Sequence, residues 1–335
     1  MKVGISGYGL AGKYFHAPFL VAAGFEVTGI VTRNPERIAS AQQDFPAAQI
    51  FSSVGDLVRS SIDLLVVASS NLAHFEDAMA GLSAGIPVVV DKPMGITFAD
   101  VEKLCDESRK RNVPLTTYFN RKFDSDALTI KRVLKEGLLG NIFRLDSRFE
   151  RFRPEANPTS WRERLSAKEG GGNLLDLQPH LVSLALDWFG PAELVHASVR
   201  SIRGLSNDDV VLVLKHESGV DSYLSASAIV GAPGPRIRLS GDKGSLVIKD
   251  LDKQEPLVRA GTNPTPGGWQ VDTSTPVELH RGDEIISIHS EPGDYTSFYK
   301  EVKKSLQGSA PMPVTLEEAL AVAAILEKAA QISIR

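Results

Sequence analysis

A glycine-rich motif near the amino terminus has the spacing needed to hold phosphate groups. It reads Gly7-Tyr8-Gly9-Leu10-Ala11-Gly12 and fits the pattern G-x-G-x-x-G. The motif follows a predicted strand marked by Val3 and Ile5 and precedes a predicted helix, which is the context in which this pattern binds dinucleotides. The first glycine allows a tight turn, the second lets the backbone approach a pyrophosphate, and the third allows close packing of helix on strand. The motif therefore predicts a dinucleotide site, the alternative being a plain glycine-rich turn.

The end of the second predicted strand indicates which dinucleotide binds. Sites for NAD usually place Asp or Glu there to hold the ribose 2′-hydroxyl, but this chain has Thr32-Arg33-Asn34. A carboxylate would repel a 2′-phosphate, whereas the guanidinium of Arg33 can pair with one. Thr32 and Arg33 are therefore predicted to favour NADP, with NAD as the alternative cofactor. The alternative for Arg33 is a solvated surface position.

Polar residues follow two further buried strands of the predicted sheet. Ser69-Ser70-Asn71 comes after Asp63–Ala68, and Asp91-Lys92-Pro93 comes after Pro87–Val90. The carboxyl ends of parallel strands line the ligand crevice of an open α/β sheet. The hydroxyls and the amide could bond a cofactor or cap the next helix, and the lysine could enter the crevice or remain at the surface.

A carboxylate and an imidazole recur together further along the chain. Asp176 and His180 follow three consecutive glycines, residues 170–172, in the predicted helix Leu174–Phe189. Their i, i+4 spacing would place both side chains on one helical face, where the carboxylate could orient the imidazole or tune its pKa. The alternative is an ordinary packed helix face.

Alternating strands and helices must position these groups in the first third of the chain. Buried apolar runs such as Asp63–Ala68 alternate with helical patterns such as Ala73–Ala84 and Ala99–Arg111. This alternation predicts βαβ units that form a doubly wound parallel sheet with helices on both faces. We expect this first domain to span residues 1–120.

The pattern changes after residue 120. The remaining chain, 121–335, is predicted to be an α+β domain with an open, mostly antiparallel sheet. The predicted strands are Glu193–Ile202, Val210–His216, Asp221–Ile229, Arg236–Ser240 and Ser245–Lys249. One sheet face should carry Val, Leu and Ile with little to cover them, which predicts a homodimer or homotetramer through that face. A closing helix at 316–332 is expected to pack back on the first domain.

Composition excludes several classes of protein. With 37 Lys and Arg against 41 Asp and Glu and a net charge of −4, the chain lacks the basic excess of nucleic-acid binders. Its longest apolar run, near Leu320–Leu326, is far shorter than the ~20 residues of a membrane helix. No apolar signal segment is visible, so we expect a cytoplasmic protein with neither membrane nor nucleic-acid partners. The 7 histidines form no HExxH or His–Cys cluster, so no metal site is predicted.

Taken in order, these motifs resemble one family of oxidoreductases along essentially the whole chain. The glycine motif, Ser69-Ser70-Asn71 with His74, Asp91-Lys92-Pro93 and Asp176-x-x-x-His180 match the Gfo/Idh/MocA family, whose first position in the third motif is usually Glu. The resemblance implies an N-terminal Rossmann domain and a C-terminal α/β domain. Three shorter stretches are similar to the branch of NADP-dependent scyllo-inositol dehydrogenases: residues 15–18, 120–124 and 151–154.

The resemblance also implies a reaction and a set of roles. A hydride would pass between a secondary alcohol of a cyclic polyol or sugar and NADP. His180 would be the general base, Lys92 would stabilise the developing alkoxide, and Asp176 would bind a neighbouring hydroxyl. The cofactor would contact the glycine motif, residues 32–33 and 69–71, His74 and residues 91–93.

Residues in or beside the loops that should line the crevice are candidates for binding the hydroxyls of such a substrate. These candidates are Asn120, Arg153, Trp161, Arg162 and Asn173. Each has an alternative as a structural loop residue, and His16 in the first helix is predicted either to reach the crevice or to pack beside it. Two alternative functions stay open: an NAD-dependent glycosidase of the same family, or a nucleotide-sensing regulator without catalysis.

Overall fold

A computed structural model of the chain describes residues 1–332. The chain divides into two compact units. Unit 1 comprises residues 1–120, 254–272 and 294–320, and unit 2 comprises residues 121–253, 273–293 and those from 321 onward. This division differs from the single predicted boundary, because two segments of the second half belong to unit 1. The last three residues of the predicted second domain, 333–335, lie outside the described residues.

Unit 1 contains a six-stranded, fully parallel sheet. Its strands are β1 (Lys2–Ser6), β2 (Glu26–Val31), β3 (Gln49–Phe51), β4 (Leu64–Val67), β5 (Val88–Val90) and β6 (Leu115–Thr117), in the order β3-β2-β1-β4-β5-β6. Strands β4 and β5 are buried along their whole length, as expected for a sheet covered on both faces. The predicted doubly wound sheet is confirmed.

The helices of unit 1 connect these strands and extend to the far end of the chain. They are α1 (Ala17–Ala22), α2 (Pro35–Asp44), α3 (Val54–Leu57), α4 (His74–Ser83), α5 (Phe98–Arg111), α10 (Gln254–Arg259) and α11 (Thr296–Leu306). A capping box at Thr97 starts α5, with Asp100 as the reciprocal partner. A π-helical turn, Ala11–His16, precedes α1.

An aromatic cluster in unit 1 joins residues from opposite ends of the chain. The ring centroid of Phe19 lies 5.3 Å from that of Tyr295 and 6.1 Å from that of Trp269. Tyr118 meets Phe298 edge to face at 4.8 Å. Such pairs add stabilisation beyond the apolar area they bury. The two late segments of unit 1 therefore complete its core.

Unit 2 contains an eight-stranded sheet with one parallel pair. Its strands are β7 (Ile142–Glu150), β8 (Ala192–Arg200), β9 (Asp209–His216), β10 (Asp221–Ser227), β11 (Ile237–Gly241), β12 (Gly244–Ile248), β13 (Val277–Arg281) and β14 (Glu284–Ile288), in the order β14-β13-β12-β11-β7-β10-β9-β8. Within this sheet, only the β7–β10 pairing is parallel among the described strands. The predicted mostly antiparallel sheet is confirmed.

The helices of unit 2 include two, α8 and α9, that divide the single helix predicted to carry Asp176 and His180. They are α6 (Ser125–Glu136), α7 (Trp161–Arg164), α8 (Asn173–Asp176) and α9 (Gln178–Phe189). A final helix, α12 (Leu316–Ile332), begins among residues assigned to unit 1 and ends among residues assigned to unit 2.

The face of the large sheet opposite its buried apolar residues is more polar than predicted. Along β7 it carries Arg144, Asp146 and Arg148, and both guanidiniums donate hydrogen bonds to the carboxylate between them. Arg144 also lies over the ring of Tyr223, at 4.5 Å from the centroid. The expectation of a face carrying Val, Leu and Ile with little else is therefore wrong, because a charged ladder occupies its middle.

Candidate active site

The glycine motif forms a turn in which two of its three glycines are sterically required. Gly7 has φ +92°, and a Cβ there would lie 2.6 Å from the carbonyl oxygen of Ala68. A Cβ on Gly12 would lie 2.1 Å from the carbonyl oxygen of Gly7. The atoms nearest to a Cβ on Gly9 would be those of the Arg37 guanidinium, at 3.5 Å. The second glycine thus leaves its backbone approachable, which is the property a pyrophosphate needs.

The helix after this turn begins without help from a side chain. Its N-cap position is Leu10, and no side chain in the described part of the chain makes a capping hydrogen bond there. The first backbone N–H groups, around Ala11, remain available for an anion. Tyr8, predicted to contact the cofactor, instead turns its buried side chain away: its hydroxyl donates to Asp44 Oδ2 at 2.8 Å. Burial is the largest of the effects that raise the pKa of Tyr8.

Two arginines stand where β2 ends. Thr32 is buried and Arg33 is exposed, and Asn34 caps α2 by accepting a hydrogen bond from the backbone N–H of Arg37. The guanidinium of Arg37 lies beside Gly9, so it reaches back toward the glycine turn. A cation in the first turn of a helix opposes the helix dipole, so α2 itself does not favour arginine at this position. Sequence reasoning missed Arg37, although its i+4 spacing from Arg33 was visible.

The segment after β4 contains a buried hydroxyl that makes no hydrogen bond with the described part of the protein. Ser69 Oγ is buried and has no hydrogen-bond partner within residues 1–332. Ser70 is exposed and Asn71 is largely buried. Ser70 occupies the N-cap position of the 3-10 turn Asn71–Ala73, but its side chain makes no capping bond there among the described contacts. The capping alternative for Ser70 is therefore not realised, and the orphaned hydroxyl of Ser69 fits a ligand.

The buried ring of His74 contacts the backbone of this segment and of the turn after β5. Its ring is fully buried, with Nδ1 at 2.7 Å from Pro93 O and Nε2 at 3.3 Å from Ser69 O. Burial is the largest influence on this ring and lowers the pKa of His74. The structure therefore places His74 as a link between the turns after β4 and β5, which differs from the direct cofactor contact that the sequence predicts.

The turn after β5 holds the candidate lysine. The backbone N–H of Lys92 donates to Asp91 Oδ1 at 2.9 Å, and the Lys92–Pro93 peptide bond is cis. Burial alone would raise the pKa of Asp91, but the neighbouring side chains of His16, Lys92 and His74 outweigh it and lower this pKa to about 2. The carboxyl group is thus an anion throughout the physiological range.

The helix of unit 2 is interrupted between Asp176 and His180. The regular helix is interrupted at Leu177, whose φ of −110° and ψ of −38° still lie in the right-handed region, so α8 ends at Asp176 and α9 begins at Gln178. Pro179 lies in the first turn of α9, a position that proline tolerates because its missing N–H has no helical partner there. The two residues therefore lie on two short helices, whereas the sequence predicts one continuous helix for both.

Three of the predicted site residues in unit 2 come together. Arg162 Nε lies 3.3 Å from Asp176 Oδ1, and the Arg162 guanidinium sits 4.4 Å from the centre of the Trp161 ring. The carboxylate and the guanidinium are each about one third exposed or less, so both remain accessible to a ligand. His180 is 6% exposed, and its ring meets the edge of Phe149 at 6.2 Å.

The other candidate substrate residues have structural tasks or lie apart. The Asn173 side chain donates to Asp208 O at 2.8 Å, so this amide anchors backbone. Arg153 is exposed, and its backbone N–H donates to Ala228 O. Asn120 is buried in unit 1, at the start of a 3-10 turn.

Comparison with known proteins identifies the family. Residues 1–119 match the model of the oxidoreductase family's NAD-binding Rossmann fold, and residues 131–333 match that of its C-terminal alpha/beta domain. The chain belongs to the Gfo/Idh/MocA family of oxidoreductases. The resemblance predicted from the motifs is confirmed, and unit 1 carries the nicotinamide-binding domain of the family.

Two named relatives and one solved structure show what this chain is similar to. The chain is 33% identical to the scyllo-inositol 2-dehydrogenase (NADP(+)) IolW of Bacillus subtilis, over 99% of this chain and 94% of that one. It is 25% identical to the myo-inositol 2-dehydrogenase of Thermotoga maritima, over 75% and 76% of the two chains. An oxidoreductase structure from Bacillus cereus, 24% identical, covers 98% of this chain and 95% of its own with a TM-score of 0.85, which shows the shared fold.

Residues 1–332 contain neither a membrane-spanning helix nor a cluster of metal-binding side chains. Within residues 1–332, no helix combines the length and the apolar character needed to cross a membrane. In the same part of the chain, no group of three or more His, Cys, Asp or Glu side chains is arranged to hold a metal ion.

Proposed function

We propose that this Gfo/Idh/MocA oxidoreductase is an NADP-dependent dehydrogenase that acts on a secondary alcohol of a cyclic polyol or sugar of the inositol type. The observation that carries the proposal is the position of Lys92. It follows β5 at the carboxyl edge of the parallel sheet, the same edge at which Gly7 turns after β1. Open α/β sheets bind their ligands at that edge.

The preference for NADP rests on charge at the end of β2. Arg33 is exposed and Arg37 lies beside Gly9, and no Asp or Glu occupies residues 32–34. Two guanidiniums can bind a 2′-phosphate through charge-assisted hydrogen bonds, whereas the ribose hydroxyl of NAD would gain little from them. The relative IolW carries NADP(+) in its name, which agrees with this preference.

The residues present fit such a cofactor. The glycine turn excludes side chains at two positions and leaves the Gly9 backbone open, while Ser69 Oγ supplies an unused buried hydroxyl. When bound, the nicotinamide supplies the hydride acceptor for alcohol oxidation. The ammonium of Lys92 donates a hydrogen bond to the substrate oxygen and stabilises its negative charge as the proton leaves.

His180 and the Arg162–Asp176 pair supply the remaining functions. The imidazole of His180 accepts the hydroxyl proton, a task suited to an imidazole near neutral pH. Asp176 accepts hydrogen bonds from a neighbouring substrate hydroxyl, and Arg162 at 3.3 Å keeps this carboxylate oriented. Trp161 offers an apolar ring face to the carbon skeleton of the substrate.

The proposal is tested by a substrate screen with the purified protein. Reduction of NADP and of NAD is followed by absorbance with scyllo-inositol, myo-inositol and a set of aldoses, and the reverse reaction is followed with the matching inosose. We expect turnover with at least one cyclic polyol and a higher kcat/KM with NADP. Cleavage of glycosides with tightly retained NAD and no net reduction would support the glycosidase alternative. Cofactor binding without any turnover would support the regulator.

A further inference from the structure

His16 is a fully buried histidine that the proposed reaction does not use. It lies in the π-helical turn after the glycine motif, a kind of turn often found at functional sites. Its Nδ1 is 2.5 Å from Tyr299 Oη, its Nε2 is 3.8 Å from Asp91 Oδ1, and its ring centroid lies 4.4 Å from that of Tyr118. All four residues belong to unit 1.

The carboxylate of Asp91 determines which ring nitrogen of His16 carries the proton. Its pKa of about 2 keeps it an anion, which can only accept a hydrogen bond. In the neutral imidazole the proton is therefore placed on Nε2, which faces Asp91 Oδ1 at 3.8 Å and has no hydrogen-bond partner among the described residues. Nδ1 then accepts from the hydroxyl of Tyr299, which stays protonated because burial, ahead of contributions from Tyr118 and Asp91, raises the pKa of Tyr299 well above its usual value.

The same carboxylate oxygen connects His16 to the candidate lysine. Asp91 Oδ1 accepts the backbone N–H of Lys92 at 2.9 Å and is also the oxygen that faces His16 Nε2. We propose that His16 is a positioning residue that holds the Asp91–Lys92 turn through the line Tyr299 Oη, His16, Asp91 Oδ1 and Lys92 N–H. Its importance for turnover rests on the proposed role of Lys92.

The surroundings of this line contain few other charges. Besides His16, the Asp91 carboxylate is influenced by Lys92 on its own turn and by His74 of α4. His74 in turn is influenced by Asp77 of the same helix. Tyr118 faces His16 and Tyr299, but its hydroxyl donates to Phe15 O at 2.7 Å, outside the line. Tyr118 therefore offers a matched buried hydroxyl for comparison with Tyr299.

Two substitutions of His16 separate its contact with Tyr299 from its contact with Asp91. In His16→Asn, the amide oxygen can take the place of Nδ1 and accept from Tyr299, but nothing reaches Asp91. In His16→Gln, the longer amide can place an N–H near the position of Nε2 and so toward Asp91. If His16 only fills space, the two variants should behave alike. If it positions the turn, His16→Gln should preserve what His16→Asn loses.

The first readout is hydrogen exchange of the segment containing Lys92, measured by mass spectrometry on the intact protein. We expect exchange at Lys92 to rise about tenfold in His16→Asn and to stay within about threefold of the original protein in His16→Gln, since exchange reports local opening. Tyr299→Phe should raise exchange at Lys92, and Tyr118→Phe should not. Equal exchange in the two His16 variants, or equal effects of the two tyrosine variants, would overturn the proposal.

The second readout is kinetic and separates this inference from the proposed function. With an identified substrate, His16→Asn should lower kcat about tenfold with the NADP dissociation constant within about twofold, as expected when a reacting group is misplaced. Lys92→Ala tests the function itself. If Lys92→Ala keeps normal turnover, the proposed function fails, while the exchange experiment still decides whether His16 holds the turn. If Lys92→Ala is inactive and His16→Asn has normal kcat, the positioning role fails.

Discussion

The ring Nδ1 of His74 lies 2.7 Å from the carbonyl oxygen of Pro93, and this contact ties α4 to the turn after β5. Replacing His74 by Ala leaves that buried carbonyl without its donor, which should cost about 1–3 kcal/mol of unfolding free energy. His74→Asn can place an amide N–H near the position of Nδ1 and should recover part of the loss. Denaturant unfolding of both variants measures the difference, and equal stability of Ala and Asn would contradict the assigned contact.

Stability should fall on the acid side of neutrality because of the same histidine. Burial lowers the pKa of His74 below its ordinary value of 6.5 in the folded protein. Below that pH the unfolded chain therefore binds a proton that the folded protein resists, so the free energy of unfolding decreases as pH falls. His216, also lowered mainly by burial, acts in the same direction. His74→Asn, which does not titrate, should flatten the dependence between pH 7 and pH 5, and an unchanged slope would argue against it.

The two arginines at the end of β2 should discriminate between the cofactors. Arg33→Ala and Arg37→Ala should each weaken NADP binding about tenfold or more and leave NAD binding nearly unchanged, because each removes a charge-assisted contact to the 2′-phosphate worth about 1.5–3 kcal/mol. Calorimetric titration with both dinucleotides measures this. Tighter binding of NAD than of NADP by the original protein would refute the preference.

The glycine turn predicts opposite outcomes for two similar substitutions. Gly12→Ala forces a Cβ to 2.1 Å from Gly7 O and should destabilise the protein by at least about 1–3 kcal/mol. Gly9→Ala meets only the end of a flexible Arg37 side chain, at 3.5 Å, so its unfolding midpoint should barely change while its affinity for NADP falls. Thermal unfolding and calorimetry on the two variants distinguish the roles. Normal NADP affinity in Gly9→Ala would show that the pyrophosphate does not bind against this position.

The proposed proton handling predicts a particular kinetic pattern. Lys92→Ala should lower kcat by about 10²–10³ with little change in NADP binding, because its donor acts on the transition state. The double variant of Lys92 and His180 should be little worse than the poorer single variant, since residues that act as a unit are not additive. Steady-state kinetics on an identified substrate provide the test, and near-normal turnover in both single variants would dismiss the assignment.

Assembly through the charged middle of the large sheet should depend on the salt concentration. We expect a homodimer or homotetramer through the face that carries Arg144, Asp146, Arg148 and Tyr223. Because charges partly screened by salt line this face, the association constant should change with ionic strength. Light scattering at micromolar concentration in low and high salt measures the mass, and a monomer in both would be incompatible with this assembly.

Local patterns predicted the parallel sheet and the glycine turn well, because both leave direct traces in the sequence. The strands β4 and β5 are uninterrupted apolar runs, and Gly7 and Gly12 occupy positions where a Cβ would collide with backbone. The sequence of helix α2 carries no comparable pattern. Only Ala41 is buried along it, so its apolar periodicity is too weak to detect.

The candidate site was harder to predict because it depends on geometry that periodicity does not contain. The spacing of Asp176 and His180 suggests one helix, but Pro179 and the break at Leu177 separate them. The contact of Arg37 with Gly9 in the glycine turn joins residues that are 28 positions apart in the sequence. No local pattern indicates such a contact. The pairing of Arg162 with Asp176 likewise links a loop to a helix end, which spacing alone does not reveal.

The discontinuous makeup of unit 1 has a consequence for how the protein is made. A ribosome delivers residues 1–120 long before residues 294–320, yet Phe19 and Tyr118 find Tyr295 and Phe298 only in the latter segment. During synthesis Phe19 and Tyr118 lack these late aromatic partners until nearly the whole chain has emerged. The nucleotide-binding unit therefore cannot complete its folding before the last part of the chain is made. A nascent chain stalled midway would expose aromatic surface that chaperones bind and that promotes aggregation.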